Sequence, residues 1–562
     1  MSKPRIAVFS GPTATIANSA PLVTSNAARR RHGLPLLTGA DGEPIAVDVL
    51  RPQRLAAPIT VYVEAYTAHP LEVDATELYA APDGWLDEAG TFSETEPAGA
   101  ATPVFVVELR PEDGLVPLPY LARQADGSAW EDTTAYPFAP QEQARQTFYP
   151  DASRIFEEIE RLGIGGDGRP VALTSVADFD FVRAIPPGGW KHGRAEKLRS
   201  DLGQGDIEPE VIGEDFFGYY PHHLHREPTL RNLARATNLV QRTLDTGDYV
   251  GAQWLEGSPT TEETMYWLNL LIDTRVPLVG HSAQRPHGTV SADGDRNIID
   301  GVGYLVAGLA LDAAGNDRVG AVMIVDEMAY SARDITKTDA RPGGYQVTGG
   351  HGGVVADLGG GGAQLTYLPD RRHTATSAVR LSELPTSVTG VTGAVGSITT
   401  VEVRVKDDTG DLLAEAMPQV TFTKFGRYLP SGGIDPDTEV EVLTRIEANL
   451  AGAPLSGFVA EGMSPYGTTG PANMAALHRA VFSGMPVVRV GRGNTGGKAY
   501  DGDPLTIPGN NLTATKARIL LMACLLRLGA LPVAADPANP TDEDRAATMA
   551  ALESYREIFA TH

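Results

Sequence analysis

Cysteine is almost absent. The 562 residues contain one, Cys524, which excludes a disulfide framework and a cysteine metal cage. It lies in Leu520-Leu521-Met522-Ala523-Cys524-Leu525-Leu526, an apolar run that reads as a buried helix, so the thiol is expected in the core. Long hydrophobic runs are missing too: none reaches the roughly 18 apolar residues of a membrane span. Met1-Ser2-Lys3-Pro4-Arg5 leads straight into a short apolar strand with no signal-like stretch. No membrane partner is expected, and a cytoplasmic location is. Positive charge is scarce: 46 Lys and Arg stand against 71 Asp and Glu, a formal net charge of −25. Such a field repels phosphates, and the short run Arg29-Arg30-Arg31 does not offset it, so nucleic acid is a poor partner.

What is present is a globular composition, 42% hydrophobic and 21% charged, with 61 glycines and 41 prolines marking many turns. At roughly 150 residues per domain this length predicts two to four units. Ile6-Ala7-Val8-Phe9 is an apolar strand closed by Ser10-Gly11-Pro12. Residues 28 to about 225 are irregular, with strand-like Ile59-Thr60-Val61-Tyr62-Val63 and Val104-Phe105-Val106-Val107 among turn residues. From about 228 helices and apolar strands alternate: a helix over 228–246, strand Val250 to Leu255, a helix from Thr260, then strands Val276 to Gly280 and Ala321 to Val325. Alternation of this kind predicts a parallel sheet flanked by helices. The stretch 396–435 looks β-rich, and 436–532 returns to alternation around Gly457-Phe458-Val459-Ala460 and Pro486-Val487-Val488-Arg489-Val490.

The loop Gly11-Pro12-Thr13-Ala14-Thr15-Ile16-Ala17 follows the first strand, where open α/β sheets place ligand-binding groups. Thr15 is a candidate nucleophile, although a turn threonine more often bonds nearby backbone. A threonine hydroxyl is weak at neutral pH and needs a base or proton relay, with N–H groups to stabilise the oxyanion. Pro221-His222-His223-Leu224-His225 is the sole histidine cluster. A polar loop is the better reading than zinc, because close spacing alone does not set tetrahedral geometry. The glycines at 349–353 and 359–362 lack the Gly-Lys-Ser/Thr of a phosphate loop and read as turns. Neither a metal nor a cofactor is expected.

Further segments fall in a telling order: Glu256-Gly257-Ser258-Pro259-Thr260-Thr261-Glu262-Glu263-Thr264, Gln284-Arg285-Pro286, Ser291-Ala292-Asp293-Gly294-Asp295-Arg296-Asn297, Ala332-Arg333-Asp334-Ile335-Thr336-Lys337-Thr338, Arg372-His373-Thr374, and Asn511-Leu512-Thr513-Ala514-Thr515-Lys516-Ala517-Arg518. With Thr15, they resemble the bacterial L-asparaginase/glutaminase family in order and spacing. The resemblance covers roughly 1–27, 228–385 and 436–532. It implies an asparaginase-like two-lobe α/β fold, parallel sheets flanked by helices, with large β-rich insertions. The N-terminal lobe, 1–27 with 228–385, would carry the site. Residues 28–227 form a large insertion, 386–435 a linker with β-rich insertion, and 436–562 the C-terminal lobe.

The resemblance also implies roles: Thr15 attacks an amide carbon, Ser258 takes the place of the family's second active-site threonine, and Lys337 assists proton transfer. A lysine partly desolvated in a closed site can act as a base near neutral pH. Gly257, Arg285, Asp293 and Asn297 are binding or support residues, and Asp503 falls near the acid that the family's neighbouring subunit contributes. Ser258 has a second reading as the N-cap of a helix with Pro259 at its first position.

Two departures bear on substrate. Pro259 replaces the aspartate understood to hold the substrate's α-amino group, and Ala27 stands where the nucleophile loop's tyrosine is expected. Tyr219 and Tyr220 are candidate substitutes. The reading that follows is an amidohydrolase acting on a small amide, lactam or cyclic imide without a free α-amino group. The alternatives are an L-asparaginase/glutaminase, a non-catalytic binding protein or an amidotransferase subunit. A homo-oligomer, dimer or tetramer, is implied by the family.

Overall fold

The computed structural model describes residues 3–11, 42–43, 53–54, 59–63, 83–87, 91–99, 101–109, 115–116, 145–146, 156, 159, 171, 173–182, 230–285, 291–347, 352–360, 362–428, 433–493, 499 and 502–562. Thr15, Ala27, Tyr219, Tyr220 and the histidines 222, 223 and 225 lie outside the described residues. The chain divides into two compact units, one of Met1–Pro228, Gln253–Gly257 and Ser282–Val302, the other of Thr229–Ala252, Ser258–His281 and Gly303–His562.

In the first unit, β1 (Arg5–Ser10) pairs in parallel with β2 (Asp178–Val182), from Arg5 opposite Asp178 to Phe9 opposite Val182. Ile6, Ala7, Val8 and Phe9 are all buried. Four consecutive buried residues, with no alternation, mark a strand covered on both faces. On its other side β1 neighbours β3 (Gly251–Leu255), whose Gln253–Leu255 belong to this unit. The Phe9 and Trp254 rings lie 6.1 Å apart. As the chain leaves β1, the Gly11 N–H donates to the Leu255 carbonyl at 2.7 Å. A Cβ on Gly11 would fall 2.8 Å from the Glu256 carboxyl carbon and 2.9 Å from the Trp254 indole, so glycine alone lets the backbone run there.

The same unit holds a five-stranded sheet in the order Phe92–Ser93, Gly84–Asp87, Ala101–Leu109, Ile59–Val63, Arg145–Gln146. Ile59–Val63 and Ala101–Leu109, the two segments richest in β-branched and aromatic residues, are antiparallel partners with Val61 opposite Val107. This is β structure within the large 28–227 segment.

In the second unit, β4 (Leu278–His281) and β5 (Val322–Val325) pair in parallel, and both are buried throughout. β6 (Met328–Ser331) turns back antiparallel on β5. A separate hairpin, β7 (Ile335–Lys337) with β8 (Tyr345–Val347), follows. β9 (Val354–Asp357) and β10 (Gln364–Leu365) then extend the main sheet antiparallel beyond β6. Helix α1 (Leu230–Leu244) fills the predicted 228–246 stretch. Helix α2 (Thr260–Leu271) is buried from Met265 to Leu271. A helix buried on every side over two turns belongs inside a layer, and each of its leucines contributes about 1.5–3 kcal/mol of burial.

The C-terminal sheet is wholly parallel, in the order β11 (Gln419–Lys424), β12 (Ser456–Gly462), β13 (Val487–Gly491), β14 (Ile507–Pro508). The stretch 396–435 therefore divides. Thr399–Arg404 forms a hairpin with Ser387–Thr392, whereas Gln419–Lys424 is the edge strand of this sheet. Helix α3 (Ala514–Leu528) packs on β12 and on α2, with every residue from Ile519 to Leu526 buried. Cys524 lies there at 0% exposure, its thiol pKa pushed up by burial. The architecture is α/β, with parallel strands flanked by helices and added β segments.

Candidate active site

The site is built where α2 begins. Ser258 was expected to cap this helix with Pro259 at its first position; the structure shifts that by one residue. Pro259 is the N-cap, makes no side-chain cap bond, and Thr260 opens the helix. The Ser258 hydroxyl is instead engaged elsewhere: Lys337 Nζ donates to it at 2.5 Å, and the Tyr345 hydroxyl lies 2.6 Å away. A stronger partner, an ammonium, takes the oxygen that would otherwise bond the helix N-terminus.

The β7–β8 hairpin supplies both partners. Its register sets Lys337 directly opposite Tyr345, and directly opposed residues in an antiparallel pair project from the same face. The turn between them is closed by Thr338 N–H donating to the Gly344 carbonyl at 2.8 Å and Gly344 N–H to the Arg341 carbonyl at 2.9 Å. At Gly343, with φ +67°, a Cβ would meet the Asp326 carboxylate at 2.4 Å. The Lys337 ammonium sits 5.7 Å from the Tyr345 ring centroid. Tyr345 is 4% exposed and Lys337 is half-buried.

A second layer fixes this geometry. The Lys337 backbone N–H donates to Glu262 Oε2 at 2.6 Å, in the first turn of α2. Burial raises the Glu262 pKa above the usual carboxylate value, against the charge of Lys516 and the bond from Lys337, which lower it. Lys516, 1% exposed, donates to the Ala332 carbonyl at 2.7 Å and to the Glu262 carbonyl. Burial lowers its pKa to about 8, opposed chiefly by Glu262. Arg333 donates to the carbonyl of His562 at 2.9 Å, to Asp334 at 2.7 Å and to Asn511 at 2.9 Å. The motifs at 332–338 and 511–518 thus meet, and their charged residues hold the segment leading into Lys337.

The other sequence candidates make local contacts. Asp293 accepts from the backbone N–H of Gln284 at 3.1 Å and of Arg285 at 2.9 Å, and Asn297 donates to the Ser282 carbonyl at 2.8 Å. The Arg285 side chain is exposed and Gly257 is half-buried. Asp503 is bonded to His478 Nε2 at 2.8 Å and to the Leu505 N–H at 3.0 Å. Its burial would raise its pKa, but the bond and charge of His478 outweigh that and hold it low. Glu262, Lys516 and above all Tyr345 received no role from sequence. The signal for Tyr345 was a hairpin pattern, Arg341-Pro342-Gly343-Gly344 between two short β-prone runs.

Comparison with known proteins falls on the same elements. Residues 226–343 match the asparaginase N-terminal family model. Over these segments the chain is similar to proteins of the asparaginase/glutaminase family. It is 31% identical over 147 residues to a glutaminase-asparaginase of Pseudomonas fluorescens biotype A, covering 26% of this chain and 38% of that protein. Against L-asparaginase 2 of Bacillus subtilis (strain 168) it is 34% identical over 107 residues, 19% of this chain and 27% of the other. With a glutaminase-asparaginase of Pseudomonas aeruginosa the identity is 28% over 256 residues, 44% and 65% of the two chains. The chain therefore spans less than two thirds of these asparaginase-family relatives. Among solved structures, a probable cytoplasmic L-asparaginase from Campylobacter jejuni is 20% identical, covers 60% of this chain and 82% of its own, and gives a TM-score of 0.43. The asparaginase match contains Ser258 and Lys337 and ends two residues before Tyr345.

Proposed function

We propose that this protein hydrolyses a carbon–nitrogen amide bond by acyl transfer through Thr15, on an amide, lactam or cyclic imide without a free α-amino group. The observation that carries the chemistry is the Ser258 hydroxyl held between the Lys337 ammonium and the Tyr345 phenol. An amide resists attack because its nitrogen is a poor leaving group until protonated. In this reading the Thr15 oxygen bonds to the carbonyl carbon, the C–N bond breaks, and the threonine's proton reaches the departing nitrogen through hydroxyl and ammonium groups. Water then hydrolyses the threonyl ester. Pro259 stands where the family carries an aspartate, and a pyrrolidine ring offers no charge to hold a substrate ammonium. That is the reason for placing the substrate outside the α-amino acids.

A second reading, asparagine or glutamine hydrolysis, is supported by the names of the relatives. It requires another carboxylate to hold the α-amino group. The test is release of ammonia or amine from a panel spanning asparagine, glutamine, primary amides, lactams and imides, with the wild type beside Thr15→Ala. Turnover confined to amides without an α-amino group, and lost in Thr15→Ala, is the expected result. Turnover of asparagine moves the protein to the second reading. No turnover across the panel favours a binding protein or an amidotransferase subunit. The same reading carries a cytoplasmic homo-oligomer, checked by cell fractionation and sedimentation.

A further inference from the structure

The hydroxyl of Ser258 has one proton to give and two lone pairs to fill. Lys337 donates into one of those pairs at 2.5 Å, and the Tyr345 hydroxyl stands 2.6 Å from the same oxygen. We propose that Tyr345 is a positioning residue of this site: its phenol donates into the second lone pair, so that the Ser258 proton is aimed away from both partners and toward substrate. Three features of the chain produce this. The β7–β8 register sets Tyr345 opposite Lys337. Burial of the tyrosine holds its ring against the lysine ammonium, 5.7 Å from the centroid. The Glu262 carboxylate bonds the Lys337 N–H and so ties that strand to the helix that begins just after Ser258.

The arrangement makes the three groups one unit. As the departing nitrogen takes the Ser258 proton, Lys337 passes its own proton to the serine oxygen, which the phenol still holds in place, and the proton lost by Thr15 restores the ammonium. With Tyr345 lacking its hydroxyl, Lys337 alone holds the serine oxygen, the serine proton can swing about that one bond, and proton transfer loses its alignment.

The kinetic part of the proposal rests on the hydrolase reading above; the coupling of Tyr345 to Lys337 does not. The test therefore has two readouts on the full chain. In the first, kcat and KM are compared for wild type and Tyr345→Phe on whichever panel amide the wild type turns over. A fall in kcat of about a hundredfold, with KM changed by less than about threefold, is expected for a misaligned proton transfer. In the second, the pH midpoint for acylation of Lys337 by acetic anhydride is followed by mass spectrometry of the peptide. It is expected to shift by about half a unit or more in Tyr345→Phe. Difluorotyrosine placed at position 345 alone keeps the ring and acidifies the phenol, and it is expected to shift the same midpoint even if the phenylalanine variant folds poorly. Should the wild type turn over no amide while the midpoint still moves, the hydrolase reading falls and the coupling stands. An unchanged midpoint in both substituted proteins overturns the coupling, whatever the activity.

Discussion

Two lysines in the second unit meet their surroundings in opposite ways. Lys516, at the start of α3, is 1% exposed, and its ammonium is spent on two main-chain carbonyls, those of Glu262 and Ala332. Lys337, at the end of β7, is half-buried, donates to the Ser258 hydroxyl and lies 5.7 Å from the ring centroid of Tyr345, whose own hydroxyl meets the same serine. A charge taken out of water survives only when its partners are fixed, so Lys516 is a part of the framework. A charge kept at the edge, on groups that exchange protons, is free to take part in chemistry. One residue type thus serves the fold in one place and the site in the other, and the difference lies in what surrounds it.

Substitutions sharpen or break that contrast. Lys516→Met should cost stability, about 2–4 kcal/mol, because the carbonyls of Glu262 and Ala332 lose a buried charged donor; urea unfolding reads this, and a cost near zero would mean that the ammonium is not held there in solution. Lys337→Met should do the reverse, lowering kcat by roughly a thousandfold while moving the unfolding midpoint little. Equal loss of stability in the two variants would erase the distinction. Glu262→Gln keeps an acceptor for the Lys337 N–H and removes the charge, so about 1–2 kcal/mol of stability is at stake, with a smaller fall in activity than Lys337→Met.

The pH dependence follows from the depressed pKa of Lys516. The folded chain releases this proton near pH 8, the unfolded chain near 10.5, so between those values the unfolded state binds more protons and stability rises with pH. The contribution is complete above the unfolded value and is lost as pH falls through about 8. Wild type should therefore gain stability relative to Lys516→Met as pH is raised from 8 to 10, measured by denaturant midpoints. The smallest effect is expected at Asp503→Asn, whose one amide oxygen still accepts from the Leu505 N–H while its NH2 faces His478 Nε2. About 1 kcal/mol of stability and an activity change of less than about threefold are expected there if Asp503 serves the C-terminal sheet; a large loss of kcat would return it to the site.

The second unit's fold was largely legible, because period and run length report burial directly. The apolar runs at Val322–Val325 and Val487–Gly491 became buried strands, and the Cys524 run a buried helix. Boundaries were less legible: Gln419–Lys424 joined the C-terminal sheet because Ser456–Gly462 lies beside it, a pairing no local pattern announces. At the site, Ser258 and Lys337 were legible as motif members. The cap reading of Ser258 was locally sound but yielded to Lys337 and Tyr345, which arrive from 79 and 87 residues away.

The sequence by itself determined which residue types were available: one thiol and it apolar-flanked, an acidic surface, a proline in place of a carboxylate, and serine and lysine in family order. Only the tertiary structure decided which of them act together. A hydroxyl's role depends on where its lone pairs and proton point, and that direction is set by a hairpin register and a buried carboxylate far along the chain.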